Sequence, residues 1–251
     1  MLTLKNIDIW FGNNHVLRNL SCSVERGDFV VIVGTNGAGK STFFDTIAGK
    51  VPPKRGSITL DGTDITHQNE LQRAGYITRI FQNTRLNSVS SMTVMQNLAF
   101  AYFSRRPATL ARGMHNMPRE KAAQLLKDVG MSPALLDTPM NALSGGQRQL
   151  IAFVMCTRLL PKVLLLDEPT AALDPQAATR LLHHAAKFIK KHHLTTLLIT
   201  HDPHIALSIG NKIWVLENGT ISRTYDKRDK AHLSPEKLIG SIDYALIAQN
   251  N

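Results

Sequence analysis

Cysteine occurs only twice in the 251 residues, at Cys22 and Cys156, far apart and outside any metal-ligand spacing. That scarcity argues against a disulfide framework or a cysteine-held zinc and suits a reducing compartment, with each thiol filling apolar volume. Long apolar runs are missing as well. The best candidate, LIAFVMCTRLLPKVLLL at 150–166, is broken by Arg158, Pro161 and Lys162, so it falls short of the about 18 residues a membrane span needs. The opening MLTLKNIDIW has neither the charged start nor the apolar centre of a secretory leader. Acidic residues are few, 19 against 29 lysines and arginines, which gives a net charge of +10. Aromatic residues make up only 6%, and the basic runs at 105–106, 187–191 and 227–230 hold a single one between them, Phe188. A stacking platform for nucleic acid is therefore not indicated, and the basic runs read as solvated faces and a helix end whose cations suit its dipole.

What is present is a folded α/β pattern. Hydrophobic residues make up 43%, and the length allows one large domain or a core with a lobe. Leu2, Leu4, Ile7 and Ile9 alternate with polar residues, as does the stretch Val16 to Val24, predicting half-buried strands. Phe29 to Val33 is apolar throughout, the pattern of a buried strand, and Gly49 is placed to stop the helix that follows. GSITLDG at 56–62 predicts a hairpin, and a short strand is expected over Tyr76 to Ile80. The middle then turns helical. TVMQ at 93–96 has capping-box spacing ahead of a helix to about Tyr102, residues 104–117 read as an exposed arm, and Pro118 opens a helix closed by Gly130. A further helix is expected from LSGGQRQ at 143–149 to about Leu160. Strands return at 163–167 and 195–200 around the helix PQAATRLLHHAAKFIKKHH, and a last hairpin, KIWVLENGTISR, leads into a polar tail.

Two stretches carry phosphate chemistry. GTNGAGKST at 34–42 fits the phosphate-loop pattern, with a strand before it and a helix after it. Gly34, Gly37 and Gly39 let backbone N–H groups close on phosphate oxygens, with Asn36, Ala38 and Thr42 completing the loop. Lys40 reaches the β- and γ-phosphates, and Ser41 offers its hydroxyl to Mg²⁺. VLLLDEP at 163–169 ends a buried strand in carboxylates. Asp167 falls beside the metal's water shell, and Glu168 faces an attacking water. The stretch LSGGQRQ offers a second helix start with bare N–H groups, suited to another anion.

The order GTNGAGKST, Gln82 in IFQN, LSGGQ, LLLDEP, ALD and His201 in ITHD resembles the ATP-binding subunit of ABC transporters from about Leu2 to Thr224. The resemblance implies a P-loop NTPase fold: a RecA-like α/β core with a β subdomain over 1–82 and 161–224, a helical subdomain inserted at 83–160, and a short tail at 225–251. It implies ATP and Mg²⁺ as cofactors. It also implies that two subunits, identical or not, pack head to tail, with Ser144, Gly145, Gly146 and Gln147 meeting the γ-phosphate of ATP held by the facing chain. Phe11 is then the aromatic that stacks on adenine, with Trp10 the adjacent candidate and one of the two expected in the core. Gln82 touches Mg²⁺ or the water. Asp174 bridges to the facing phosphate loop, and His201 contacts the γ-phosphate and orients Glu168.

The same resemblance implies separate membrane permease subunits, docked through the segment 83–97 of the helical subdomain at the cytoplasmic face of the inner membrane. A substrate-binding protein completes such a complex, and no nucleic acid is expected. One cassette, no coiled-coil insert and no zinc module set the chain apart from the repair, chromosome and translation branches of the superfamily. NGAGKST and the compact tail are similar to branched-chain amino acid importer ATPases. QRQL, TAALDP and the GN of IGNKIW are closer to a bacterial group associated with amino acid import. Lipid or lipoprotein extraction, or export, is the alternative transport reading, and a nucleic-acid ATPase is the alternative of a different class.

Overall fold

Phe29–Val33, β3, is buried at every position and forms the axis of a six-stranded sheet. The computed structural model describes residues 1–80, 88–103, 117–171 and 173–247. Two compact units emerge: Met1–Arg79 with Pro161–Glu168 and His193–Asn251, and Ile80–Leu160 with Pro169–His192.

In the first unit, β1 (Leu2–Phe11) and β2 (Asn14–Val24) pair antiparallel, and β4 (Arg55–Leu60) and β5 (Thr63–Asp64) extend the sheet in the order β2-β1-β4-β5. The larger sheet takes β6 (Ile77–Ile80), β7 (Val163–Asp167), β8 (Thr195–Ile199), β9 (Lys212–Glu217) and β10 (Thr220–Tyr225) in the order β10-β9-β3-β8-β7-β6. Strands β9, β3, β8 and β7 run parallel, so their C-terminal ends lie along one edge. That edge is where open parallel sheets place ligands. The core between the sheets holds Leu4, Ile9, Phe43, Phe44, Leu165, Leu197 and Trp214 among others, each large side chain contributing about 1.5–3 kcal/mol on burial. Cys22 and Cys156 are half-buried, and burial pushes both thiols up to about 12, which leaves them inert.

Helix α1 (Lys40–Ala48) follows β3, and Gly49 closes it in the left-handed region at φ 86°. Its last carbonyls are held from outside. Arg73, at the end of the short helix α2 (Glu70–Arg73), is 1% exposed. It donates from Nη1 to the carbonyls of Thr46 (2.9 Å) and Ile47 (2.7 Å), and from Nη2 to those of Ile65 (2.5 Å) and Thr66 (3.1 Å). We expect Arg73→Met to cost about 3–5 kcal/mol, because four buried carbonyls lose a charged donor at once. Urea denaturation reads this directly, and an unchanged midpoint would refute the assignment.

The second unit is helical: α3 (Val94–Phe103), α4 (Arg119–Asp128), α5 (Gly145–Thr157) and α6 (Pro175–His192). The capping box at Thr93 and Gln96 forms as its spacing predicts, at 2.9 and 3.2 Å. Helix α5 ends at Thr157, three residues before the expected Leu160, because Leu160 adopts a left-handed φ of 47° ahead of Pro161. The exposed arm expected at 104–117 lies, but for Met117, outside the described residues, with Arg105, Arg106 and Arg112 in it.

The polar tail is corrected. After α7 (Pro203–Ser208) and the final hairpin come α8 (Lys227–Lys230) and α9 (Pro235–Ile247). Leu238 on α9 is fully buried, and Leu238 and Ile242 stand one helical turn apart. Lys230 fastens this segment by donating to the carbonyls of Ala206, Ile209 and Gly210 at the end of α7.

Candidate nucleotide site

The loop Gly34–Gly39 leaves β3 at the C-terminal edge of the sheet and enters α1 through Gly39, whose φ of 99° suits glycine alone. Gly34 is required for a different reason, since a Cβ there would lie 2.1 Å from the Leu216 carbonyl oxygen. Asn36, Gly37 and Ser41 are exposed, Thr42 is half-buried, and Ala38 is buried. No acidic residue occupies the first turn of α1, so its N–H groups and dipole remain suited to an anion.

Lys40 is 7% exposed, and its Nζ donates to the carbonyls of Gly34 (2.8 Å) and Thr35 (2.7 Å). Burial lowers its pKa, while the nearby negative charges of Glu168 and Asp167 oppose that shift. The two carboxylates predicted to work with this lysine are therefore close enough to act on it. They end β7, and β8 lies between β7 and β3. The tip of β8 carries His201 into the same place, with Nε2 2.6 Å from Oε1 of Glu168. Glu168 itself adopts φ 46°, a left-handed conformation uncommon for a non-glycine residue, while its N–H donates to Ile199 at 3.1 Å. Backbone strain of this kind clusters at functional positions.

Trp10 and Phe11 are the last two residues of β1, just before the turn into β2. The Trp10 ring is half-buried and stacks on His15 with centroids 3.9 Å apart, and His15 Nε2 meets Asp8 Oδ1 at 2.7 Å. Phe11 is 52% exposed, presenting its ring for a stacking partner. Neither ring belongs to the core cluster, so the expectation that one would fill the core is not met. A cavity of about 460 Å³ opens beside Gly34, Asn36, Thr200 and His201, with Leu238 and Ile242 of α9 on its other wall.

The second unit holds the other phosphate-type helix start. Ser144 caps α5: its Oγ accepts from the Gln147 N–H at 3.3 Å, and the Gln147 side chain accepts from the Ser144 N–H at 2.9 Å. Gly145 and Gly146 keep the backbone bare where added Cβ atoms would come within 3.2 Å of Leu173 and Ala177. Asp174 begins α6, accepting from the Ala177 N–H at 2.9 Å. A cavity of about 520 Å³ adjoins Ser144, Gly146, Gln147, Arg180 and His184. Gln82, expected at the metal or the water, lies outside the described residues, as do residues 83–87 of the expected docking segment.

Among the described residues no group of three or more His, Cys, Asp or Glu side chains forms a metal cage. The donors that are present, the Ser41 hydroxyl and the Asp167 carboxylate, are hard oxygens. That set fits magnesium, which accepts few protein ligands and completes its shell with water and phosphate oxygens. Sequence reasoning missed Arg79, whose guanidinium contacts Asp167 at 2.5 Å. The sequence signal was an arginine inside the short apolar strand ITRI, three residues before Gln82.

A strand running into a glycine loop and a buried lysine, with a carboxylate pair two strands away, defines a P-loop nucleotide-binding fold. The family model described as ABC transporter matches residues 17–171. A tyrosine transport ATP-binding protein of Clostridioides difficile (strain R20291) is 35% identical over 252 residues, covering 98% of this chain and all of that protein. A solved ATP-binding cassette of an ABC transporter, MJ1267 in its ADP conformation, superposes with a TM-score of 0.80 at 28% identity over 98% of both chains. A dimeric cassette, MJ0796, bound to ADP and Pi in a post-hydrolysis state, gives 0.73 at 27% identity, covering 91% of this chain and 99% of that one. The chain belongs to the ABC transporter family, as an ATP-binding and ATP-hydrolysing cassette. Among the described residues no helix is long and apolar enough to cross a membrane.

Proposed function

We propose that this chain binds Mg-ATP as one half of a head-to-tail dimer and hydrolyses it to drive import of an amino acid through separate permease subunits. The observation that carries the chemistry is the 2.6 Å contact between His201 and Glu168 at the tip of β7. With the proton on Nε2, His201 engages Oε1 and leaves Oε2 to accept a proton from the attacking water. Lys40 and the N–H groups of the loop receive the β- and γ-phosphates, and Ser144, Gly145 and Gly146 are offered to the γ-phosphate of the facing copy's ATP. Phe11 stacks on adenine, Gln82 lies at the metal or water, and Asp174 links the copies. Ser41 and Asp167 hold magnesium, which when bound offsets phosphate charge in the transition state.

Amino acid import is supported by the full-length similarity to a tyrosine transport ATP-binding protein. The same reading places the chain peripherally on the cytoplasmic face of the membrane, bound to a permease through its helical subdomain and assembled with a substrate-binding protein. Affinity purification of the Glu168→Gln chain from detergent-solubilised membranes with Mg-ATP tests it. A polytopic permease accompanied by an amino acid-binding protein is the expected result. A lipoprotein-extraction or export assembly, or nucleic acid without any membrane protein, overturns the import reading and leaves the ATPase chemistry standing.

A further inference from the structure

Arg79 stands on β6 with its side chain 9% exposed, an expensive place for a charge unless it is paired. Its Nη1 pairs with Asp45 on α1, and its Nη2 with Oδ2 of Asp167 at 2.5 Å. The guanidinium lies 5.9 Å from the Phe44 ring, and Asp45 has a second, looser partner in Lys50 at 3.7 Å. One rigid fork thus ties the last residue of β7 to α1. Asp45 is four residues after Ser41, so the two share a face of α1, one turn apart. The fork therefore fixes the distance between the two oxygen donors assigned to the metal, although Arg79 touches only one of them.

We propose that Arg79 is a positioning residue for the metal of this site. It holds Asp167 by Oδ2 and turns Oδ1 toward the metal's water shell, with Asp45 as the anchor. The inference rests on the reading of Asp167 as the metal-side carboxylate. Two effects of removing Arg79 oppose each other. Loss of a positive charge near Asp167 favours a cation, whereas loss of the fork leaves two half-buried carboxylates repelling each other and frees Asp167 to turn. Position dominates here, because the guanidinium is shared between two anions and its charge is already offset. Partners behind a metal ligand typically change metal affinity by about 10–100-fold.

The test is a magnesium titration of fluorescent ATP-analogue binding, run beside the same measurement in EDTA. Arg79→Ala is expected to raise the half-saturating magnesium concentration about tenfold, with metal-free affinity changed less than about twofold. Arg79→Lys should not restore it, since one ammonium on a flexible stem cannot hold both carboxylates in a fixed plane. Asp45→Asn, which keeps Arg79 but weakens its anchor, should give a shift of about threefold and serves if Arg79→Ala does not fold. Unchanged or tighter magnesium dependence in a folded Arg79→Ala, full rescue by lysine, or no shift in Asp45→Asn overturns the proposal. Asp167→Asn separates the two levels of argument. If it leaves magnesium dependence unchanged, the reading of Asp167 itself fails. If it weakens magnesium binding while Arg79→Ala does not, only the role of Arg79 fails.

Discussion

Glu168→Gln is expected to lower ATP turnover by about 10²–10⁴-fold while leaving ATP binding within about twofold of the parent chain. The substitution keeps the side chain's size and an oxygen able to accept from His201, so the 2.6 Å contact and the backbone around it survive. It removes the capacity to take a proton from water at neutral pH. Lys40, the glycine loop and Ser41 are untouched, so the groups that hold phosphate and metal stay in place. The loss should therefore fall on kcat and not on KM, the signature of a group that acts in the transition state. Steady-state phosphate release and equilibrium binding of a labelled nucleotide separate the two quantities. Turnover within about threefold of the parent would remove Glu168 from the role of base and leave the water to another residue.

His201→Ala offers a comparison from the same geometry. Glu168 would keep its charge but lose the imidazole that fixes Oε1, so turnover should fall less steeply than in Glu168→Gln. The left-handed backbone of Glu168 explains why orientation matters. The residue leaves the strand at an angle its neighbours do not share, and the side chain needs an external partner to fix its direction.

How much of this was legible in the sequence depends on the range over which each feature is determined. The phosphate loop, the carboxylate pair and the histidine were legible because each ends a continuous apolar strand, and parallel strands bring such ends to one edge without further information. The capping box at Thr93 was legible because both partners lie within four residues. Arg73 was not. It stands in QNELQRAGY like any solvated base, yet it is buried against carbonyls from two separate segments, 46–47 and 65–66, which no local period encodes. Arg79 shares that history, since its partners are 34 and 88 residues away. Helix α9 is hard to see in the sequence, where Lys237, Ser241 and Asp243 interrupt its apolar positions. The spacing of Leu238 and Ile242 fits one buried stripe, but a single pair is weak evidence until α7 and β9 are known to receive it. Phe11 and Trp10 could not be distinguished by alternation, because what separates them is a stacked histidine across the turn.

A mixture of two inactive chains should recover activity, and this is the second large effect. Lys40→Ala removes the ammonium from the phosphate loop. Ser144→Arg fills the space before α5 and removes the hydroxyl that caps it. Each variant alone is expected to retain less than about 1% of turnover, since placement and charge stabilisation supply most of the rate in phosphoryl transfer. Suppose that each site joins one chain's loop to the other chain's Ser144 helix. A mixed dimer then contains one site with both parts intact and one with both parts altered. Random pairing makes half the dimers mixed, and half of their sites work, so an equimolar mixture should reach about a quarter of the parent rate. If each chain instead used its own Ser144 helix, no combination would contain an intact site and the mixture would stay as inactive as its parts. Sedimentation of the same mixture with ATP, with Glu168→Gln added to both chains to slow turnover, checks that mixed dimers form. Recovery assigns the second phosphate-type helix start to the neighbouring chain. Failure to recover in a mixture that does dimerise assigns it to the chain's own nucleotide or to none.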